Sequence, residues 1–277
     1  MNKRPYIHGT SRREQQRLIE QAAQLAELLQ GNLELHPGER LLEIGCGVGA
    51  VLGQIGQSNP GSQLVGIDIN PDQIEAAREH LSGLGLNQVE LAVGDGAALP
   101  WECGAMDRVR LVWVVEHLQE PHAVLREALR VLRPGGTIHI TETDYASLRV
   151  SPPDPAIEAM LGAFVAHFNR CGNAHTGPAL GPLLEQAGFA HVHNTMVGIH
   201  HWCPSRRDDV QDFCSYLLAF IEPERSALLT AAPTPHAAAL IQTGLEQFAR
   251  LAERPDGAIS ISAYQARGMK SADDQPG

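Results

Sequence analysis

The ten residues from Leu41 to Ala50, Leu-Leu-Glu-Ile-Gly-Cys-Gly-Val-Gly-Ala, join a short apolar run to three alternate glycines. Leu41, Leu42 and Ile44 predict a buried parallel strand. Gly45, Gly47 and Gly49 let the backbone turn sharply and approach a ligand where a Cβ would collide. A strand ending in such a turn opens a doubly wound α/β sheet and predicts a nucleoside-like cofactor at the turn.

Two kinds of cofactor satisfy that turn. Gly45, Gly47 and Ala50 fit the dinucleotide fingerprint, which expects an acidic residue about 20 positions on. Asp68 meets the expectation at the tip of a second apolar run, Gln63 to Asp68, where a carboxylate accepts hydrogen bonds from ribose hydroxyls in either case. Glu43 separates the readings. Two positions before the first glycine, its charge would oppose a pyrophosphate but favour a ligand carrying ammonium and sulfonium groups, which points to S-adenosylmethionine. The loop also lacks the Gly-Lys-Ser/Thr ending of a P-loop.

Further elements follow in order. Asn70-Pro71-Asp72 supplies a cap, a first-turn proline and a first-turn acid, so a helix runs from there to about Ser82-Gly83. Gln88 to Asp95 predicts a third strand ending at Gly94-Asp95-Gly96, where a second carboxylate can accept from an adenine amino group. Asp107 to Val115 predicts a fourth strand, with Glu116-His117-Leu118 at its tip. Ala123 to Leu132 predicts an amphipathic helix, Arg133-Pro-Gly-Gly136 a break, and Thr137 to Thr143 a fifth strand. Strands alternating with helices predict a parallel sheet with right-handed crossovers.

These pieces resemble the class I S-adenosylmethionine-dependent methyltransferases, and among them the ubiquinone/menaquinone-biosynthesis C-methyltransferase group. The resemblance rests on residues 41 to 49, Gly-Ile-Asp-Ile-Asn-Pro (66 to 71), Gly-Asp-Gly-Ala-Ala-Leu-Pro-Trp (94 to 101), Trp-Val-Val-Glu-His-Leu (113 to 118) and Leu-Arg-Pro-Gly-Gly (132 to 136). Tyr6-Ile-His-Gly9 and the run from 181 to 189 extend it over about residues 5 to 270, with the acceptor-binding part weakly matched. It implies a Rossmann-like seven-stranded sheet, mostly parallel with an antiparallel last strand, plus helical lid elements. It implies that Glu43, Gly45 and Gly47 hold the methionine end and that Asp68 binds the ribose with Ile69 packing on adenine. Gly94, Asp95 and Gly96 would lie along the adenine edge, and Trp113 would offer its carbonyl to the ammonium. Tyr6 would close over the cofactor. Cys46, within the same turn, is counted with the cofactor-binding residues, and reads from the residues alone as a small packing side chain.

The resemblance suggests one methyltransferase domain over residues 1 to 277. Its expected parts are an arm and lid helix at 1 to 32, a cofactor core at 33 to 145 and an acceptor-side half at 146 to 270. A helical insertion is expected at about 205 to 253 and a disordered tail at 271 to 277. Ser11 and Glu14 form a capping box, and Leu18, Ala22, Leu25 and Leu29 recur at helical spacing over residues 11 to 30. Ser151-Pro-Pro-Asp154 reads as a turn opening another helix, with Ile157, Leu161, Phe164 and Phe168 on one side. A sixth strand is expected at about 189 to 200 and a last one from Gly257 to Met269.

Bulk properties narrow the partners. A formal charge of −11 offers no general field for nucleic acid, no apolar run reaches about 18 residues, and Met1-Asn-Lys-Arg-Pro-Tyr leads into no secretory core. Five cysteines without a CxxC pair favour a reducing cytoplasm over a disulfide framework. The expected partner is a small-molecule acceptor, and a homodimer is compatible with these features. Thirteen histidines invite a metal, but His191 with His193, and His200-His201-Trp202-Cys203, lack the usual ligand spacing, so none is expected.

Methyl transfer needs mainly a linear, dry approach of nucleophile and methyl. A base is required only where the acceptor loses a proton, and His117 is the candidate, expected to titrate near neutrality, with a structural role as the alternative. Glu116 carries the same ambiguity. Asp144, Tyr145, Asn173, His175 and His200 are the candidate acceptor contacts, and otherwise surface residues. The competing functions are a cofactor-binding regulatory protein without transfer and an NAD-dependent oxidoreductase, which Glu43 and the later motifs oppose.

Overall fold

The computed structural model describes residues 15–272 apart from 16, 17, 21, 24, 31, 32 and 34. The expectations for Tyr6, Ser11 and Glu14, and for the tail beyond 272, lie outside the described residues. Chain contacts divide the described residues into two compact units, one of 15–142, 178–195 and 264–272, the other of 143–177 and 196–263.

The elements of the first unit are those that the glycine stretch announces. Helix α1 (Ala26–Gln30) precedes β1 (Arg40–Ile44), α2 (Ala50–Ser58), β2 (Gln63–Asp68), α3 (Pro71–Gly83), β3 (Glu90–Val93), β4 (Met106–Val112) and α4 (Pro121–Val131). Strand β1 pairs in parallel with β2 and β4, placing Glu43 opposite Gly66 on one side and Arg110 on the other. The Asn70 side chain accepts from the Asp72 N–H at 2.9 Å, and Pro71 occupies the first turn of α3, so local chemistry starts that helix directly after β2.

Side chains alternate along the strands, so this unit has a core on each sheet face. Leu41, Leu52, Ile55 and Leu81 pack on one face, together with Ala22 and Leu29 of the amino-terminal helical segment. Leu42, Ile44, Val109 and Leu125 pack on the other. Leu18, Ala22, Leu25 and Leu29 thus join the core as their spacing predicts.

Strand β5 (Leu132–Ser151) is far longer than expected and follows α4 without a break. The helix ends before Arg133-Pro-Gly-Gly136 as expected, but these residues lie within β5 instead of separating the two elements. They form an irregularity in the β4–β5 ladder, where Met106 pairs with Leu132 but Arg108 already pairs with Thr137. Strand β4 is shorter than expected, stopping at Val112 because Trp113 takes a left-handed backbone (φ 52°) and 115–117 form a 3₁₀ turn. Strand β3 spans only Glu90–Val93.

The remaining elements are α5 (Pro155–Phe168), α6 (Thr176–Gln186), β6 (Ala190–Trp202), α7 (Arg207–Ile221), α8 (Arg225–Thr230), α9 (Pro235–Ala249) and β7 (Ala258–Met269). Asp154 caps α5 by accepting from the N–H groups of Ala156 and Ile157, so Ser151-Pro-Pro-Asp154 is the turn and helix start its sequence suggests. The core of the second unit is aromatic. Tyr145, Phe164, Phe168 and Phe220 lie with ring centroids 5.2 to 6.0 Å apart.

The seven strands run in the order β3-β2-β1-β4-β5-β7-β6, a mostly parallel sheet with the last strand antiparallel. Strands β5, β6 and β7 each contribute residues to both units. No helix among the described residues is long and apolar enough to cross a membrane.

Candidate functional site

The glycine turn sits at the end of β1. Gly45 and Gly47 have φ of 72° and 51°, a region closed to most side chains, and a Cβ on Gly45 would meet Val114 Cγ2 at 2.5 Å. The turn is tied to β2. Gly45 N–H and Cys46 N–H both donate to the Ile67 carbonyl, and Gly47 N–H donates to Asp68 Oδ2 at 2.9 Å. Asp68 Oδ1 accepts from Asn70 N–H, so backbone donors hold both carboxylate oxygens and leave acceptor capacity to spare. Burial raises the Asp68 pKa, opposed by those backbone donors.

Glu43 lies beneath this turn, 2% exposed. Burial pushes its pKa up to about 8, against the pull of the neighbouring Arg110 guanidinium, and its Oε2 has no hydrogen-bond partner among the described residues. An orphaned buried carboxyl oxygen normally has a ligand or water to satisfy it. Cys46 is buried among Val48, Ala50 and Leu52, and burial raises its thiol pKa well above the ordinary value, so it is an inert packing group.

The other strand ends carry their predicted residues. Ile69, after β2, is 56% exposed, an unusual state for a large apolar side chain at a sheet edge. Gly94 N–H donates to the Asp68 carbonyl, and exposed Asp95 closes a tight turn by accepting from Ala97 N–H. A Cβ on Gly96 would meet Ile44 Cγ2 at 2.8 Å.

After β4 the chain makes the left-handed step at Trp113, whose N–H donates to the Thr141 carbonyl. The next turn is held from β5 by a residue the sequence did not single out. Glu142 is fully buried, and its Oε1 accepts from the N–H groups of Val114 and Val115 at 2.9 and 2.7 Å. Its carboxyl also hydrogen-bonds the Glu116 side chain, which requires a proton between the two, and burial raises the Glu142 pKa. His117 Nε2 lies 3.4 Å from Glu116 Oε1. The expectation that His117 titrates near neutrality fails: burial lowers its pKa to about 4, leaving the imidazole neutral at physiological pH.

The candidate acceptor residues lie in the second unit. His175 Nδ1 is 3.6 Å from Asp144 Oδ1, His175 N–H donates to Asn173 Oδ1, and Tyr145 N–H donates to the Ala174 carbonyl. These residues therefore form one cluster. The Tyr145 ring is not at a surface, however, but is packed among Phe164, Phe168 and Phe220. His200 is exposed on β6, stacked on Trp202 with centroids 5.4 Å apart, as their two-residue spacing predicts. Among the described residues, no three His, Cys, Asp or Glu side chains converge as a metal site would require.

The fold and the glycine turn define a Rossmann-like protein built around a nucleoside-cofactor turn. Residues 42–140 match the family model described as a methyltransferase domain. Over those residues the chain is similar to methyltransferase domains. It is 34% identical over 159 residues to the 24-methylenesterol C-methyltransferase 2 of Oryza sativa subsp. japonica, a match covering 57% of this chain and 42% of that protein. The chain spans less than half the length of the curated relatives it matches. A phosphoethanolamine N-methyltransferase 2 from Haemonchus contortus, solved with phosphomonomethylethanolamine and S-adenosylhomocysteine, has the same fold. Its TM-score is 0.57 at 17% identity, over 90% of this chain and 52% of that one. The (4+2)-cyclase SpnF is also similar in fold, with a TM-score of 0.52 at 23% identity, over 88% of this chain and 81% of that one.

Proposed function

We propose that the protein transfers the methyl group of S-adenosylmethionine to an oxygen, nitrogen or carbon nucleophile of a small metabolite. The observation that carries this reading is the oxygen of buried Glu43 that has no hydrogen-bond partner among the described residues, beneath a turn where Gly45 leaves no room for a Cβ. An aminoacyl ligand with a positive charge suits that position; a pyrophosphate does not. The methyltransferase relatives support the same class, and the overall charge of −11 supports a small acceptor over nucleic acid. Five free cysteines support a reducing, cytoplasmic setting.

When bound, the cofactor supplies a methyl group on a positively charged sulfur that leaves as a neutral thioether. Glu43, Gly45 and Gly47 would hold its methionine end and Asp68 its ribose, through the lone pairs its backbone donors leave free. Exposed Ile69 would gain an adenine to cover it, with Gly94, Asp95 and Gly96 along the base edge. The left-handed step at Trp113 turns its peptide group away from the strand direction, as an ammonium-binding carbonyl would need. His117, after β4, is the side chain proposed to take a proton from an acceptor that must lose one, although burial, by lowering its pKa to about 4, makes it a weak base in the ligand-free protein. Asp144, Asn173, His175 and His200 are the side chains proposed to meet the acceptor.

Calorimetry with S-adenosylmethionine, S-adenosylhomocysteine and NAD tests the cofactor. The first two are expected to bind and NAD to give no heat; binding of NAD alone overturns the proposal. Incubating labelled cofactor with extract of the native host, followed by mass identification of products, tests transfer. Cofactor binding without any methylated product would favour a non-methylating use of the fold, which the cyclase SpnF shows to be open to it.

A further inference from the structure

Strands β4, β5, β7 and β6 line a cleft of about 270 Å³ within the first unit. Its walls are mixed, with Leu29, Ile140 and Ala266 beside a set of polar side chains. Arg110 comes from β4, His139 and Thr141 from β5, Gln265 and Arg267 from β7, and Thr195 from β6. The two-residue spacings on β5 and β7 set these side chains on one sheet face, and the ladder places Arg110 directly beside His139. Interior strands ordinarily bury apolar groups there, and polar groups facing a cleft cost free energy unless something satisfies them.

The cleft is also electropositive within an acidic protein. Arg110 is 3% exposed; its Nη2 donates to the Leu29 carbonyl, but its Nε has no partner among the described residues. Its ladder neighbour Glu43 does not line the cleft, and burial weakens the charged form of that partner by pushing its pKa up to about 8. His139 registers the resulting field. Burial and then repulsion from Arg110, Arg108 and Arg267 lower its pKa to about 3, while Thr137 Oγ1 engages its Nε2 at 3.0 Å. His193 completes the basic set, and none of the described lining residues is a carboxylate.

We propose that this cleft binds a small phosphate monoester, its oxyanion held by the Arg110 and Arg267 guanidinium groups with Thr141 and Thr195 hydroxyls beside them. Guanidinium forks match tetrahedral oxyanions, and the remaining volume accommodates a compact organic body. This site is separate from the glycine turn and does not depend on the reaction proposed there.

The test uses the full chain and inorganic phosphate as probe. Calorimetry and thermal unfolding are run with phosphate at millimolar concentration, against chloride at matched ionic strength. The expected result is saturable phosphate binding that raises Tm. Binding should weaken roughly tenfold or more in Arg267→Gln, the loss expected for one charged hydrogen-bonding partner. Arg267 is exposed, so this variant should keep the unliganded Tm and circular dichroism of the unaltered protein. Thr195→Val, at a second exposed position, should weaken binding as well. Absence of saturable binding, or unchanged affinity in both folded variants, overturns the site.

Discussion

Glu43 shows how a single side chain can link protonation, stability and ligand charge. Its carboxyl has an ordinary pKa of 4.5 and a folded one of about 8. A group with a raised folded pKa stabilises the fold fully below the unfolded value and loses that contribution as pH rises through the folded value. Urea denaturation of the ligand-free protein should therefore show stability declining between pH 4.5 and 8, and Glu43→Gln should flatten that decline. A slope unchanged by the substitution would detach Glu43 from the effect. Asp68 makes a different prediction. If its carboxylate binds ribose, Asp68→Ala should cost about 1.5 to 3 kcal/mol of cofactor affinity by calorimetry. Unchanged affinity in a folded variant would remove that assignment.

Among the elements, the turn after β4 is the one whose shape depends on a distant strand. Glu142 supplies the acceptor for the Val114 and Val115 N–H groups, and Val114 in turn packs where a Gly45 side chain would stand. Removing that acceptor in Glu142→Ala leaves two backbone donors without it, an expected loss of about 2 to 4 kcal/mol in urea denaturation. Glu142→Gln, which keeps one acceptor oxygen, should lose less. Equal losses would mean that packing rather than the acceptor holds the turn. The cofactor half of this arrangement was legible in the sequence because each piece is local. The Asn70-Pro71-Asp72 helix start, the alternate glycines and the carboxylates at strand tips all act within a few residues. Glu142 and Arg110 were not, because their roles arise from pairing across strands. The only sequence hint was a charged residue inside an apolar run, as in Arg108-Val-Arg110-Leu. The length of β5 was hidden for a related reason: Asp144 to Ser147 read as loop until Tyr145 and Leu148 find a second core.

At the scale of the molecule, the two units rest on separate cores. The aromatic one concentrates its packing on a few rings, so Phe168→Ala, at a fully buried position, should destabilise by about 3 to 5 kcal/mol in urea denaturation. A change below about 1 kcal/mol would show that the site collapses around the missing ring. The unit boundaries at 142/143, 195/196 and 263/264 fall inside β5, β6 and β7 and the one at 177/178 inside α6, not in linkers. Neither unit is thus a continuous stretch of chain. A protease cutting one exposed loop would release neither intact, and no single truncation would isolate either. Recombination between relatives is constrained in the same way: exchanging the second unit as a module demands four simultaneous junctions, three within strands and one within α6, whereas point changes on its helices demand none.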